Sequence, residues 1–260
     1  PMSTASSAFD HLSERTRLAP ESGIVEVLNH GWGKEGLIPL WAGEGDRPTP
    51  DFIRQAGADA LMAGETFYTQ QRGITELRQA LADYYGRQFG VRRPLDAFTV
   101  TGSGMQAIKL AIEAVSGPGD EILYLSPSWP NLPAAFALSG GKPVPFVMDV
   151  EDGRWSIDMD RFEAAVTPRT RALFINTPSN PSGWVATKDD LKAILAIARK
   201  HNLWIIADEI YSRFFYEGTR APSFLDVSED DDLILYVNSF SKNWAMTGWR
   251  VGWIVAPPAI

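Results

Sequence analysis

The sequence predicts an α/β protein: a mostly parallel open sheet with flanking helices. From about residue 97 onward, short apolar runs of strand length alternate with longer stretches of helical periodicity. Gly, Pro, Asn and Ser gather where those runs end, which is where turns belong. The 260 residues are 45% hydrophobic and 22% charged, enough apolar material for a core on both faces of such a sheet.

Taken in order, residues 1–30 carry only weak periodicity, with room for a short helix around Val25 and Leu28. Residues 37–41 are a short apolar run leading into Ala42-Gly43-Glu44-Gly45-Asp46-Arg47-Pro48-Thr49-Pro50, a loop or domain junction. A helix is expected over 51–63, with Ile53, Ala56, Ala60 and Leu61 on one face. Residues 67–73 form a polar loop holding Tyr68, and a second helix follows over 74–89, its Tyr84 and Tyr85 core residues. Strands are expected at 98–100, 121–125, 144–147, 171–176, 203–207, 233–238 and 249–255. Helices are expected at 105–115, 157–166 and 187–200, the last opened by the N-cap Thr187. Pro127, Pro130 and Pro133 are read as breaking the stretch around Trp129.

Composition removes several chemistries. The absence of cysteine excludes disulfides, thiolate metal sites and a cysteine nucleophile. Only three histidines occur, far apart in sequence, which argues against a histidine metal site or triad. The net charge of −8 argues against nucleic acid or an anionic membrane as the main partner. No apolar run is long enough to span a membrane, and the polar start (Ser3, Thr4, Ser6, Ser7, Asp10) lacks a signal-peptide core, so a cytoplasmic location is expected.

Ligands of open α/β sheets bind beyond the carboxyl ends of the strands, and the candidate residues fall there. Ser103-Gly104-Met105 opens a helix, where free backbone N–H groups suit a phosphate; a simple tight turn is the plain reading. Asn180 lies in Asn176-Thr177-Pro178-Ser179-Asn180-Pro181-Ser182-Gly183, which is also ordinary turn chemistry. Asp208 follows the apolar strand Trp204-Ile205-Ile206-Ala207, where a carboxylate is costly without a partner, unless it serves as an N-cap. Tyr211 is three residues on and faces the same way if that segment is helical. Ser239-Phe240-Ser241-Lys242 ends another strand, and Arg250 follows. Hydroxyls and a guanidinium suit a phosphate, and the lysine is either its counter-ion or an amine that forms a Schiff base with a carbonyl. Each motif alone is weak. Together they suit pyridoxal 5'-phosphate held by a lysine aldimine, with an acid on its pyridinium nitrogen.

The ordered series A-G-E-G-D, Y-x-x-x-x-G, T-G-S-G-M-Q-A, S-P-S-W-P-N, N-T-P-S-N-P-S-G, A-D-E-I-Y and S-F-S-K-N-W-A-M-T-G-W-R-V-G spans residues 40–252. It resembles the class I and II aminotransferases, the aspartate-aminotransferase-like group of fold type I pyridoxal-phosphate enzymes. The resemblance implies an amino-group transfer from an L-amino acid to a 2-oxo acid. Lys242 would form the aldimine and shuttle the proton. Asp208 would pair with the pyridinium nitrogen, Tyr211 and Asn180 would bond the ring oxygen, and Trp129 would stack on the ring. Ser239, Arg250, Gly104 and Met105 would bind the phosphate, helped by Ser103 and Ser241. Gly43 would contact the substrate carboxylate, together with Trp129 and Asn180. Tyr68 would reach the phosphate of a neighbouring subunit, implying a homodimer. Cis prolines are implied at Pro127 and Pro181.

The resemblance also implies domains: residues 1–47 as an N-terminal arm and part of a small domain, and 48–260 as the large cofactor-binding domain. The family's chain continues further and supplies an arginine for the substrate carboxylate, so a fragment with an incomplete small domain is expected. Alternatives within the fold are a C–S lyase or an aminocyclopropane-carboxylate-synthase-like enzyme. A non-catalytic cofactor-binding regulatory module is the alternative of another class.

Overall fold

The computed structural model describes residues 8–17, 19–20 and 22–260; the polar residues 3–7 lie outside them. Two short helices, α1 (Glu14–Arg17) and α2 (Gly23–Gly31), precede α3 (Asp51–Met62) and α4 (Thr75–Phe89). Then β1 (Phe98–Thr101), α5 (Gly104–Val115), β2 (Glu121–Ser126), α6 (Asn131–Leu138) and β3 (Lys142–Val147) alternate. A hairpin of β4 (Asp149–Glu151) and β5 (Arg154–Ser156) leads to α7 (Met159–Ala164), β6 (Thr170–Asn176), α8 (Lys188–His201), β7 (Trp204–Asp208), β8 (Ile234–Ser239) and β9 (Gly252–Val255). Seven strands form one sheet in the order β1-β9-β8-β7-β6-β2-β3. The neighbours from β8 through β3 are parallel, and β9 runs antiparallel to both β8 and β1. This is the mostly parallel α/β sheet expected.

Local chemistry sets the helix ends. Thr187 and Asp190 form a reciprocal capping box at the start of α8, and Arg199, Lys200 and His201 sit in its last turn against the helix dipole. Asn202 ends it in the left-handed region at φ 52°. Ser103 caps α5 by accepting the Gln106 N–H at 3.0 Å.

Alternation along the strands builds two cores. Leu173 and Ile175 of β6, Ile205 and Ala207 of β7, and Ile234 and Tyr236 of β8 face the layer holding α4 and α8. Their neighbours Ala172, Phe174, Ile206, Leu235 and Val237 face α5 and α6. Trp253 is fully buried in the first core and donates its indole N–H to Tyr85 Oη at 3.0 Å.

Several expectations need correction. The prolines after β2 do not end regular structure: α6 begins at Asn131 with Pro133 inside it. Proline is tolerated in a first turn, whose N–H groups have no partner within the helix. The β4–β5 hairpin is too short to leave a periodic signal. The last strand starts at Gly252, because residues 247–249 form a 3-10 turn and Arg250 is left-handed at φ 54°. The 157–166 helix is shorter, α7, with Asp158 capping it through the Arg161 N–H. The apolar face of α3 has no buried residue, and Leu61 is 68% exposed. Periodicity reports that a face is apolar, not what covers it. The peptide bonds before Pro127 and Pro181 are cis, as expected, and so is that before Pro178. Among the described residues no helix is long and apolar enough to cross a membrane.

Candidate functional site

Three strand ends share one face because their residues share one parity. Asp208 lies two residues beyond Ile206, Asn176 two beyond Phe174, and Ser239 two beyond Val237, all on the α5 side of the sheet. The ladder aligns them: Asn176 pairs with Asp208, and Asp208 with Val237. Above them opens a cavity of about 1330 Å³. Its lining includes Gly43, Gly104, Met105, Trp129, Asn180, Asp208, Tyr211, Ser239, Ser241, Lys242 and Arg250. Eleven of the thirteen expected site residues thus meet in one place, drawn from segments up to about two hundred positions apart.

Two do not. Ser103 is buried below the cavity, its hydroxyl engaged as the α5 N-cap, so its contribution is to the helix end. Tyr68 is fully exposed and absent from the cavity lining.

Asp208 is 6% exposed. Its carboxylate accepts the Ile210 N–H at 3.2 Å and makes no ion pair among the described residues. Burial pushes it up to about 7, opposed by the Ile210 N–H and the charge of Lys242. An acid held this way at a cavity floor favours the arrival of a cation. Its own main-chain carbonyl is braced by the Thr177 N–H and the Asn176 carboxamide, both at 3.1 Å.

The Lys242 ammonium donates to the Gly43 carbonyl and lies 5.7 Å from the Tyr211 ring centroid. Burial lowers its pKa below the ordinary lysine value; Glu44 opposes this, Arg250 adds to it and Asp208 opposes it. A side chain at Gly43 would place its Cβ 3.1 Å from Lys242 Nζ, so glycine keeps that approach open. Tyr211 stands in a turn, not in a helix, yet reaches the cavity. Burial raises its phenol, Asp208 adds to the rise, and a hydrogen bond with Asn180 opposes it.

At the far end, α5 points its N-terminus into the cavity through Gly104 and Met105. The Ser239 hydroxyl accepts the Ser241 N–H at 3.0 Å and lies 2.9 Å from Ser241 Oγ and 3.0 Å from the Val251 carbonyl. Arg250 Nη1 donates to the Thr247 carbonyl at 2.7 Å and is 3.5 Å from Ser241 Oγ. Helix N–H groups, two hydroxyls and a guanidinium form a set of donors for an anion.

Sequence reasoning missed Gly252 and Glu209. A Cβ on Gly252 would sit 2.6 Å from the Gly104 nitrogen, so β9 carries glycine where it passes under the anion end. Close approach leaves no signal in a single sequence beyond the glycine itself. Glu209, on the opposite face from Asp208, is 3% exposed, takes bonds from Ser223 Oγ and the Phe224 N–H, and is pushed up to about 7 by burial. It anchors the 3-10 turn Phe224–Asp226.

A buried acid without a cation, a partly desolvated amine, a tyrosine–asparagine pair, a tryptophan wall and an anion cradle fit pyridoxal phosphate group for group. Known proteins agree with this. The family model described as aminotransferase class I and II matches residues 35–260. Aromatic-amino-acid aminotransferase 2 of Thermococcus litoralis is 37% identical over 247 residues, covering 95% of this chain and 63% of that protein. The aspartate/prephenate aminotransferase of Thermus thermophilus is 38% identical over 224 residues, 86% of this chain and 57% of that protein. Among solved structures, aspartate aminotransferase from Thermus thermophilus with maleate superposes with a TM-score of 0.86 at 35% identity, covering 95% of this chain and 65% of that one. N-succinyldiaminopimelate aminotransferase from Mycobacterium tuberculosis gives a TM-score of 0.88 at 30% identity, over 95% of this chain and 65% of that one. The chain therefore spans somewhat less than two thirds of the length of these relatives.

Proposed function

The chain belongs to the class I and II aminotransferase family, whose aspartate-aminotransferase-like members depend on pyridoxal phosphate, and we propose that its protein moves an amino group from an L-amino acid to a 2-oxo acid. The observation that carries this reading is Asp208: a buried carboxylate with no cation of its own, in one cavity with the lowered amine of Lys242.

When bound, pyridoxal phosphate supplies a carbonyl that condenses with amines and a protonated ring that takes up electron density from the substrate α-carbon. Asp208 would accept a hydrogen bond from the ring N–H, and its carboxylate, ionised beside that positive charge, would no longer carry the full cost of its burial. Lys242 would serve as the nucleophile, its neutral fraction enlarged by burial, and its Nζ would then hold the proton taken from the α-carbon. Tyr211 and Asn180, both in the cavity lining, would bond the ring oxygen. Trp129, in the cavity lining, would offer an aromatic face to the ring. Gly104 and Met105 would hold the phosphate with main-chain N–H groups, and Ser239, Ser241 and Arg250 with side chains, the helix end kept in place by Ser103. Gly43 leaves room beside Lys242 for the substrate carboxylate.

We take residues 48–260 as the cofactor-binding domain and residues 1–47 as an arm joined to part of a smaller one. Tyr68, exposed beside Phe67 (88%) and Met62 (88%), is read as reaching the cavity of a second copy in a cytoplasmic homodimer. The test is a screen of amino donors against 2-oxo acids with the full-length protein. Stoichiometric appearance of the donor's 2-oxo acid supports the proposal. Release of pyruvate and ammonia instead would assign a lyase, and no turnover of any donor would overturn both.

A further inference from the structure

The active lysine and the cavity acid stand on different loops. Asp208 and Tyr211 lie at the end of β7 and in the turn after it, while Lys242 lies in the loop after β8. The ladder between β7 and β8 runs from Ile205↔Ile234 to Asp208↔Val237, so neither Tyr211 nor Lys242 is held by it. The lysine loop is tight within itself, with the Met246 N–H on the Ser241 carbonyl at 3.1 Å and the Ala245 N–H on the Lys242 carbonyl at 3.3 Å. Its other bonds, Lys242 to the Gly43 carbonyl, Thr247 to Glu44 and the Ala245 carbonyl to Thr49, run to residues 43–49 instead.

One side chain joins the two loops. Asn243 Oδ1 accepts the Arg213 N–H at 3.3 Å, and Asn243 Nδ2 donates to Ser212 Oγ at 3.2 Å. Among the described residues these are the hydrogen bonds between the turn after β7 and the loop after β8. Both ends of the carboxamide are used, so its orientation is fixed by its partners. Ser212 is itself anchored: it is 3% exposed, its N–H donates to the Glu209 carbonyl at 3.0 Å, and its carbonyl accepts the Ala221 N–H at 2.8 Å. Arg213 reaches α4 through Gln88 Oε1 at 3.1 Å. Asn243 therefore ties the lysine loop, which is otherwise bonded within itself and to residues 43–49, to a turn anchored at the end of β7.

We propose that Asn243 is a positioning residue that holds Lys242 over Asp208 and Tyr211 by pinning the lysine loop to Ser212 and Arg213. It touches no reacting atom; it acts through Lys242, the residue directly before it. The inference rests on the reading of Lys242 as the reactive amine. Burial sets the charge of that amine first, followed by Glu44, Arg250 and Asp208 from three separate segments, while the Tyr211 ring lies 5.7 Å away, so the amine's titration reports where the loop is held.

The experiment measures the pH midpoint of reductive methylation at Lys242, read by mass spectrometry, in the full-length protein stripped of cofactor. Wild type, Asn243→Ala, Ser212→Ala and the double variant are compared. A merely structural residue would lower the melting temperature without moving this midpoint. Freeing the loop exposes the amine to water, so Asn243→Ala should raise the midpoint by roughly half a unit or more. Ser212→Ala should raise it less, and the double variant should match Asn243→Ala alone, because the two deletions remove one contact. Wild-type midpoints in both single variants, or strictly additive shifts, would overturn the proposal. If Asn243→Ala does not fold, Ser212→Ala decides: a midpoint equal to wild type overturns it, a raised one supports it. An ordinary lysine midpoint in the wild-type protein would overturn this inference together with the role given to Lys242.

Discussion

Gly252 passes so close to Gly104 that a Cβ on Gly252 would lie 2.6 Å from the Gly104 nitrogen and 2.6 Å from the Ser103 carbonyl carbon. The first residue of β9 thus sets how near the N-terminus of α5 comes to the sheet. Ser239 pairs with Gly252 across the ladder, and a Cβ on Gly104 would meet Ser239 Cβ at 3.1 Å. The anion end of the cavity is a stack of three such approaches.

Gly252→Ala should therefore push α5 off the strand ends. Overpacking of this kind costs about 1–3 kcal/mol. We expect a lower melting temperature and a weakened affinity for pyridoxal phosphate measured by titration. Unchanged values for both would show that the neighbouring backbone yields without loss.

Asp208 gives a pH dependence whose sign is fixed. Its folded pKa, about 7, is above that of an exposed carboxyl, so the folded state binds more protons. Between about pH 4 and pH 7 the cofactor-free protein should lose stability as pH rises, by on the order of a few kcal/mol from this group. Asp208→Asn should flatten that part of the curve relative to wild type, read by chemical denaturation across the range. Cofactor binding should flatten it as well, since a ring N–H stabilises the ionised carboxylate. Glu209 contributes a slope of the same sign that survives in the variant.

Lys242→Ala should abolish turnover and the covalent attachment of cofactor. Borohydride treatment of the loaded wild-type protein should leave a stable adduct on the peptide containing Lys242, and on no peptide of the variant. An adduct at another lysine, such as Lys188 at the same cavity, would move the role there.

Arg250→Lys keeps the charge and loses the planar fork. Affinity for pyridoxal phosphate should fall about tenfold, or about 1.4 kcal/mol, with the protein still folded. The bond from Arg250 to the Thr247 carbonyl is local, so melting should change little. Equal affinity would remove Arg250 from the anion cradle.

The strand ends that carry this site are legible in the sequence, although each motif alone is weak and their combination points to the chemistry. Asp208 directly after four apolar residues, Lys242 after the β8 run and Gly104 at a strand-to-helix turn each mark a strand end, because a polar residue at the edge of an apolar run is where a strand leaves the core. Less is legible where the signal is short or permissive. The helix α6 is hidden behind prolines that a first helical turn accepts, and the β4–β5 hairpin has strands of three residues.

The alternation of strand and helix, the N-cap of α8 and the residue types available at each strand end are local properties, legible in the sequence alone. These depend on periodicity and on neighbours within about four positions. The tertiary structure alone decided that Asn176, Asp208 and Ser239 share a face, that Gly43 approaches Lys242, that Gly252 lies under Gly104, and that Asn243 reaches Ser212. The reason is that these relations join segments tens to hundreds of positions apart. Strand order and register select among such contacts, and both are set by how the two cores pack against the sheet rather than by any local run of residues.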